Sequence, residues 1–281
     1  MREIKAEDIT AAVAELFSRA NRVLPAQAKK VIAEAAERES KPLARAVLGR
    51  IMDNLAAAES TGLPICQDTG MAVIFAEVGQ EVHIAGGGFR EAVDAGVRKA
   101  YLDGRLRCSI VRDPLLDRVN TGDNTPAMLH TDIVPGEHIR LIAAPKGFGS
   151  ENMSALKMFT PSASREDIIA FVADSVKRAG GNPCPPIMVG VGIGGNFEGC
   201  AKLAKRALLR EPGVPSANPG YAALESDMLR ELCGLGIGPQ GFGGDTTALA
   251  VSIEAAPTHI AGLPVAVNIN CHVMRHAECV L

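Results

Sequence analysis

PIMVGVGIGGNFEGCAKLAKRALLR, residues 186 to 210, decides the fold class: an apolar run the length of one buried strand, a glycine-rich turn, then a stretch with helical spacing. The same alternation surrounds it. EDIIAFVADSVKRAGG (166 to 181) and YAALESDMLRELCGLG (221 to 236) read as helices, and TTALAVSIEAA (246 to 256) and LPVAVNI (263 to 269) as strands. Towards the N-terminus, MAVIFAEVG (71 to 79), EVHIAGGG (81 to 88) and HIRLIAAPKG (138 to 147) read as strands, with a helix from about Phe89 to Tyr101. Residues 9 to 61 carry helical spacing throughout, as in Ile9, Val13, Leu16 and Phe17, or Leu43, Val47, Leu48 and Ile51. The expectation is a mixed α/β fold. A helical N-terminal layer (1 to 62) continues into an α/β region (63 to 281), a mixed sheet with flanking helices, as one domain. The stretch 210 to 220, REPGVPSANPG, reads as an exposed connection.

The chain has 281 residues, 47% of them apolar and 22% charged, with a formal net charge of −3 and no basic tract. This is the balance of a soluble globular protein and gives no support to a nucleic-acid partner. No run is long and apolar enough for a membrane span, and the opening residues do not read as a signal peptide, so the expected compartment is the cytoplasm. Seven cysteines, an odd number without an export signal, argue against a disulfide framework, and no CxxC pair supports a zinc ribbon.

Glycines concentrate at predicted junctions, in residues 86 to 88, 146 to 152, 189 to 196 and 234 to 245, where backbone bends sharply or approaches a ligand. Three cysteines share such settings: Cys66 in PICQDTG, Cys184 in NPCPP and Cys271 in NINCHVMRH. Flanking prolines stiffen the first two, which suits a ligand held in one place. Three thiolates would leave one iron of a cubane cluster open as a Lewis acid, although iron-sulfur motifs are normally recognised by clustered cysteines. The other four, Cys108, Cys200, Cys233 and Cys279, read as small buried hydrophobes. Two further readings stand beside this one. Gly190, Gly192 and Gly195 form GxGxxG between a strand and a helix, with Glu211 downstream, the pattern of a nucleotide-binding site. The cysteines could also be structural in a noncatalytic scaffold subunit.

PICQDTG, LRCS followed by NTGDNTPA, KGFGSENMS, NPCPP and PTHIAGLPVAVNINC, in this order and spacing, resemble the class I fumarase and L-tartrate dehydratase family from about residue 40 onward. The resemblance implies that Cys66, Cys184 and Cys271 hold a 4Fe-4S cluster with one iron lacking a protein ligand. It implies substrate contacts from Gln67, Asp68, Arg107 and the backbone of Gly149, and a proton-handling pair of Asp68 with His259, twelve positions before Cys271. An arginine offers a planar fork of donors to a carboxylate, and a carboxylate beside an imidazole orients it and raises its proton affinity. His272 and His276 read as surface or supporting groups, and Lys146 either as a solvated lysine or as positive charge near the substrate. Single-chain members of the family continue into a second half carrying a catalytic threonine and further cationic contacts. The expectation is therefore a separate β subunit, an α2β2 assembly, and reversible hydration of a C4 dicarboxylate, with fumarate preferred and tartrate as the alternative.

Overall fold

In the computed structural model, which describes residues 2 to 281, the chain divides into two compact units. The first comprises Met1–Leu24, Leu55–Phe148 and Arg275–Leu281; the second comprises Pro25–Asn54 and Gly149–Met274. The N-terminal helices are shared out between them. α1 (Ala6–Arg22) belongs to the first unit and α2 (Ala26–Arg38) to the second, while α3 (Pro42–Thr61) begins in the second and ends in the first.

The first unit is built on a four-stranded sheet ordered β10-β5-β2-β4, where β2 is Met71–Gly79, β4 Met128–Val134, β5 Ile139–Lys146 and β10 Ala277–Val280. β2 runs parallel to β4 and antiparallel to β5, and β5 pairs antiparallel with β10. β1 (Arg2–Lys5) and β3 (Val82–Ala85) form a separate parallel pair. Because successive strand residues face opposite sides, Ile139, Leu141 and Ala143 of β5 and Ala72, Ile74 and Ala76 of β2 present one apolar face. Against it lie α1, through Ile9, Val13, Leu16 and Phe17, and α4 (Phe89–Asp103), through Val93, Val97 and Tyr101. The Phe17 and Tyr101 rings meet at a centroid distance of 6.1 Å.

The second unit holds a four-stranded sheet ordered β6-β9-β7-β8, with β6 at Ala155–Phe159, β7 at Ile187–Gly195, β8 at Ala248–Thr258 and β9 at Leu263–Asn270. β7 is parallel to β8 and antiparallel to β9. It is buried on both faces, which explains its unbroken apolar run. Val189, Val191 and Ile193 pack into a core with Ile168, Val172 and Val176 of α6 (Arg165–Ala179) and Met228 and Leu232 of α8 (Pro219–Gly234). On the opposite face, Gly190 and Gly192 lie under α7 (Phe197–Ala207). A Cβ at either would fall 2.1 Å from a backbone oxygen, of Ala204 and Cys200 respectively, so these glycines serve helix-on-strand contact. They lie inside the strand, not in the turn that a nucleotide phosphate would need, and packing accounts for these two of the three glycines.

Local signals set the helix ends. Ser164 and Asp167 form a reciprocal capping box at α6, and Asn196 and Asn218 cap α7 and α8 through their side chains. The exposed edge of β8 is covered by a buried ion pair: Glu225 accepts from the Ile253 amide, Arg210 donates to the Ile253 carbonyl, and the two side chains meet at 2.8 Å. Glu39, 1% exposed at the end of α2, accepts from the backbone amides of Asp245 and Thr246, fastening the glycine-rich 241 to 246 loop to the helices. Burial pushes its pKa up, but these bonds outweigh it and leave the carboxyl below its usual value. Among the described residues, no helix is long and apolar enough to cross a membrane.

Candidate functional site

In the first unit, Cys66, Gln67 and Asp68 form a turn just before β2, and that turn is held on three sides. The Thr69 hydroxyl donates to the Arg107 carbonyl at 3.1 Å and accepts from the Arg107 amide at 2.9 Å, so residue 107 is fixed beside residue 69. The Tyr101 hydroxyl, fully buried, reaches the carbonyls of Thr69 and Gly70, each at 2.9 Å, and Asn124 Nδ2 donates to the Gly70 carbonyl at 3.1 Å. Burial holds the Tyr101 phenol well above its usual pKa, so it stays a neutral donor. Gly70 has φ of +80° and sits against Lys146, whose backbone would lie 2.7 Å from an added Cβ. Only glycine satisfies both conditions, and it brings the turn against the end of β5.

That contact places the Asp68 carboxylate. Its Oδ1 accepts from the Gly70 amide at 3.0 Å and its Oδ2 from the Phe148 amide at 2.9 Å. A carboxylate has about four acceptor positions, so two amides orient it and leave capacity for another donor. The Gln67 side chain is exposed and close to Cys66, with Sγ to Oε1 at 3.4 Å, and the Arg107 side chain is exposed. Gln67, Asp68 and Arg107 are thus gathered on one scaffold. Lys146 is not the solvated lysine of the first sequence reading: it is 4% exposed and donates to the Gly147 carbonyl at 3.1 Å. Gly147, which the sequence did not single out, faces Asp68, since a Cβ there would stand 3.1 Å from Oδ2.

In the second unit, the Cys184 loop and the Cys271 segment are tied together. Cys184 is exposed, with φ of +55°, and its amide donates to the Gly181 carbonyl. His272 Nδ1 bonds the Cys184 carbonyl at 3.0 Å, which requires the proton on Nδ1, and burial lowers the pKa of this imidazole. His272 therefore supports one cysteine loop from beside the other. Gln240 reinforces the arrangement: its backbone amide and its side-chain amide both donate to the Pro185 carbonyl, at 2.7 and 2.9 Å.

Gly149 lies exposed in the short helix α5 (Phe148–Glu151). An added Cβ there would be 3.6 Å from the nearest atom, so packing does not demand this glycine. His259 stands exposed where residues 259 to 262 arch past the end of β7 from β8 to β9. Its Nδ1 accepts from the Ala261 amide at 3.1 Å, so in the neutral ring the proton resides on Nε2.

Among the described residues, none of the seven cysteines is in a disulfide. Their chemistry separates them. Burial raises the thiol pKa of Cys108 and Cys279, and that of Cys200 to about 11, which disfavours the thiolate a metal needs. Cys66, Cys184 and Cys271 instead stand at loops and are partly or fully exposed. Among the described residues, no three histidine, cysteine or carboxylate side chains crowd around one point as ligands of a single ion would. A cubane makes a different demand, because it spreads its thiolates over separate irons, and three loop thiols suit that donor set.

An oriented carboxylate and an exposed arginine thus stand together on glycine-bounded loops of an α/β protein. A family model described as fumarate hydratase (Fumerase) matches residues 10–280, and the chain belongs to this family of hydro-lyases. A protein of Methanocaldococcus jannaschii, provisionally named L(+)-tartrate dehydratase subunit alpha, is 41% identical over 273 residues, covering 96% of each chain. The L(+)-tartrate dehydratase subunit alpha of Escherichia coli O157:H7 is 31% identical over 271 residues, covering 95% of this chain and 88% of the relative. Its counterpart from Escherichia coli K12 is 30% identical over the same length.

Proposed function

We propose that this chain is the iron-sulfur α subunit of an L(+)-tartrate dehydratase, acting with a separate β subunit in an α2β2 assembly. The observation that carries the reading is the Asp68 carboxylate, oriented by two backbone amides on the turn that also bears Cys66 and Gln67. The relatives named for tartrate support that substrate over the fumarate preferred from the sequence, which does not itself separate the two. Fumarate hydration is the second reading, supported by the description of the family model.

Cys66, Cys184 and Cys271 would hold the 4Fe-4S cluster. When bound, it supplies an open iron as a Lewis acid for the substrate hydroxyl. Asp68 and His259 handle the proton that leaves with water; with Nδ1 taken by Ala261, the His259 nitrogen available for this is Nε2. Arg107 offers its guanidinium to a substrate carboxylate, Gln67 provides an amide beside Cys66, and the Gly149 amide approaches where a side chain would intrude. The base that removes the carbon-bound proton comes from the β subunit. Tartrate and fumarate chemistry differ by one substrate hydroxyl, and a site that pairs a buried group with that hydroxyl discriminates strongly.

The test is anaerobic purification of the chain with its captured partner, iron and sulfide analysis, and turnover of L(+)-tartrate against fumarate. About four irons and four sulfides per chain, lost in Cys66→Ser, Cys184→Ser and Cys271→Ser but kept in Cys233→Ala, are expected, with tartrate the faster substrate. An iron-free protein after reconstitution would refute the cluster, and faster fumarate turnover would reverse the substrate order.

A further inference from the structure

Arg275 is a charged side chain only 4% exposed. One guanidinium nitrogen, Nη2, donates to the backbone carbonyl of Asp68, while Nε and Nη1 are buried with no hydrogen-bond partner among the described residues. A buried guanidinium with unmade bonds is costly, and such a group calls for a reason beyond stability. Its placement suggests one. β10 pairs antiparallel with β5, Ala277 opposite Ala143, so the chain just before β10 lies beside the end of β5, where residues 146 to 148 leave the sheet. Arg275 therefore sits beside the Gly147 backbone that faces the Asp68 carboxylate. An added Cβ on Gly147 would be 3.1 Å from Asp68 Oδ2 and 3.9 Å from Arg275 Nη2.

We propose that Arg275 is a positioning residue: by gripping the Asp68 carbonyl from the C-terminal segment, it holds the 66 to 68 turn in the register that aims Asp68. The proposal rests on the function assigned above to Asp68, although the grip itself does not. The amides of Gly70 and Phe148 give the aspartate its orientation, but they bind the carboxylate end only. Arg275 fixes the main chain from which that carboxylate hangs. Backbone and side chain held from different strands leave one rotamer in place, as a group awaiting a substrate requires.

Arg275→Met keeps much of the buried stem and removes the donors, and Arg275→Lys keeps the charge with one donor group. Amide hydrogen exchange on the full-length protein reads the grip without any need for catalysis. In Arg275→Met, exchange at Gly70 and Phe148 should quicken about tenfold or more, with the β7 and β9 amides unchanged; Arg275→Lys should stay within about threefold of wild type. In the active complex, Arg275→Met should lower kcat about tenfold or more with KM within about twofold. Unchanged exchange at both amides, or an equal rise throughout the chain, would overturn the proposal. Selective exchange in a protein without hydro-lyase activity would uphold the grip and place the failure in the functional reading of Asp68.

Discussion

Tyr101→Phe isolates one hydroxyl beneath the candidate site. The ring is fully buried between α1 and the sheet, and the phenylalanine ring fills the same space, so no cavity arises beyond the oxygen itself. The loss is confined to donors and acceptors. Two carbonyls share the hydroxyl, Thr69 and Gly70, but Gly70 keeps Asn124 Nδ2 at 3.1 Å, so mainly the Thr69 carbonyl is stranded. An under-satisfied carbonyl is cheaper than a stranded N–H, which puts the destabilisation of the first unit at about 1 to 2 kcal/mol. That is a melting decrease of about 4 to 8 °C for a unit of this size. Because the chain contains two compact units, the assay must resolve them. Urea unfolding followed by hydrogen exchange on β2 and β5 peptides reports the first unit, and β7 and β9 peptides report the second. Tyr221→Phe, on α8, is the control and should leave β2 and β5 unmoved. A Tyr101→Phe protein within about 0.3 kcal/mol of wild type, or one whose change is spread over both units, would refute this account of the turn.

Asp123 predicts an acid limb in the stability profile. Burial pushes its pKa up, but hydrogen bonds from Thr125 and from Arg98, with the Arg98 charge, overcome this and hold it at about 2. A carboxyl depressed in the folded state contributes stability above its unfolded pKa and loses it as pH falls, so about 1 to 2 kcal/mol should disappear between about pH 4 and pH 2. In Asp123→Asn that part of the slope should be absent from acid titrations of unfolding; an identical slope would rule out the assignment. Gly192→Ala would force a methyl to within 2.1 Å of the Cys200 carbonyl and should cost at least about 2 kcal/mol, pushing α7 off β7. Thermal unfolding checks it, and a variant as stable as wild type would show that the helix and strand are not in that contact.

The buried and strongly periodic elements were legible in the chain itself. β7, β8 and β9 read as apolar runs and α4, α6, α7 and α8 as helical patterns because each turns its apolar positions to a core within its own unit. Four strands escaped that reading: β1, β4, β6 and β10. Each belongs to a two-stranded pair or lies at a sheet edge. Such a strand is half solvated, its side chains need not alternate, and only a neighbour's free backbone groups decide that it pairs. The split into two units was also invisible, since α3 runs through both without a linker.

The same division applies to the site. Loop chemistry written into short segments was readable: PICQDTG displays a cysteine, an amide and a carboxylate in consecutive residues, and the glycines around it announce close backbone approach. The sequence by itself therefore determined the fold class, the family resemblance and the residues that present reactive atoms. It did not determine what holds them. Tyr101 and Val97 look alike on the inner face of a helix, and Arg275 reads as one more surface charge four residues after Cys271. Only the tertiary structure set the Tyr101 hydroxyl under two carbonyls and buried the Arg275 guanidinium against the Asp68 backbone. The physical reason is range. Helix and strand propensities, caps and turns act over a few neighbouring residues, whereas a hydrogen bond spanning 31 or 207 positions exists only once the sheets have closed.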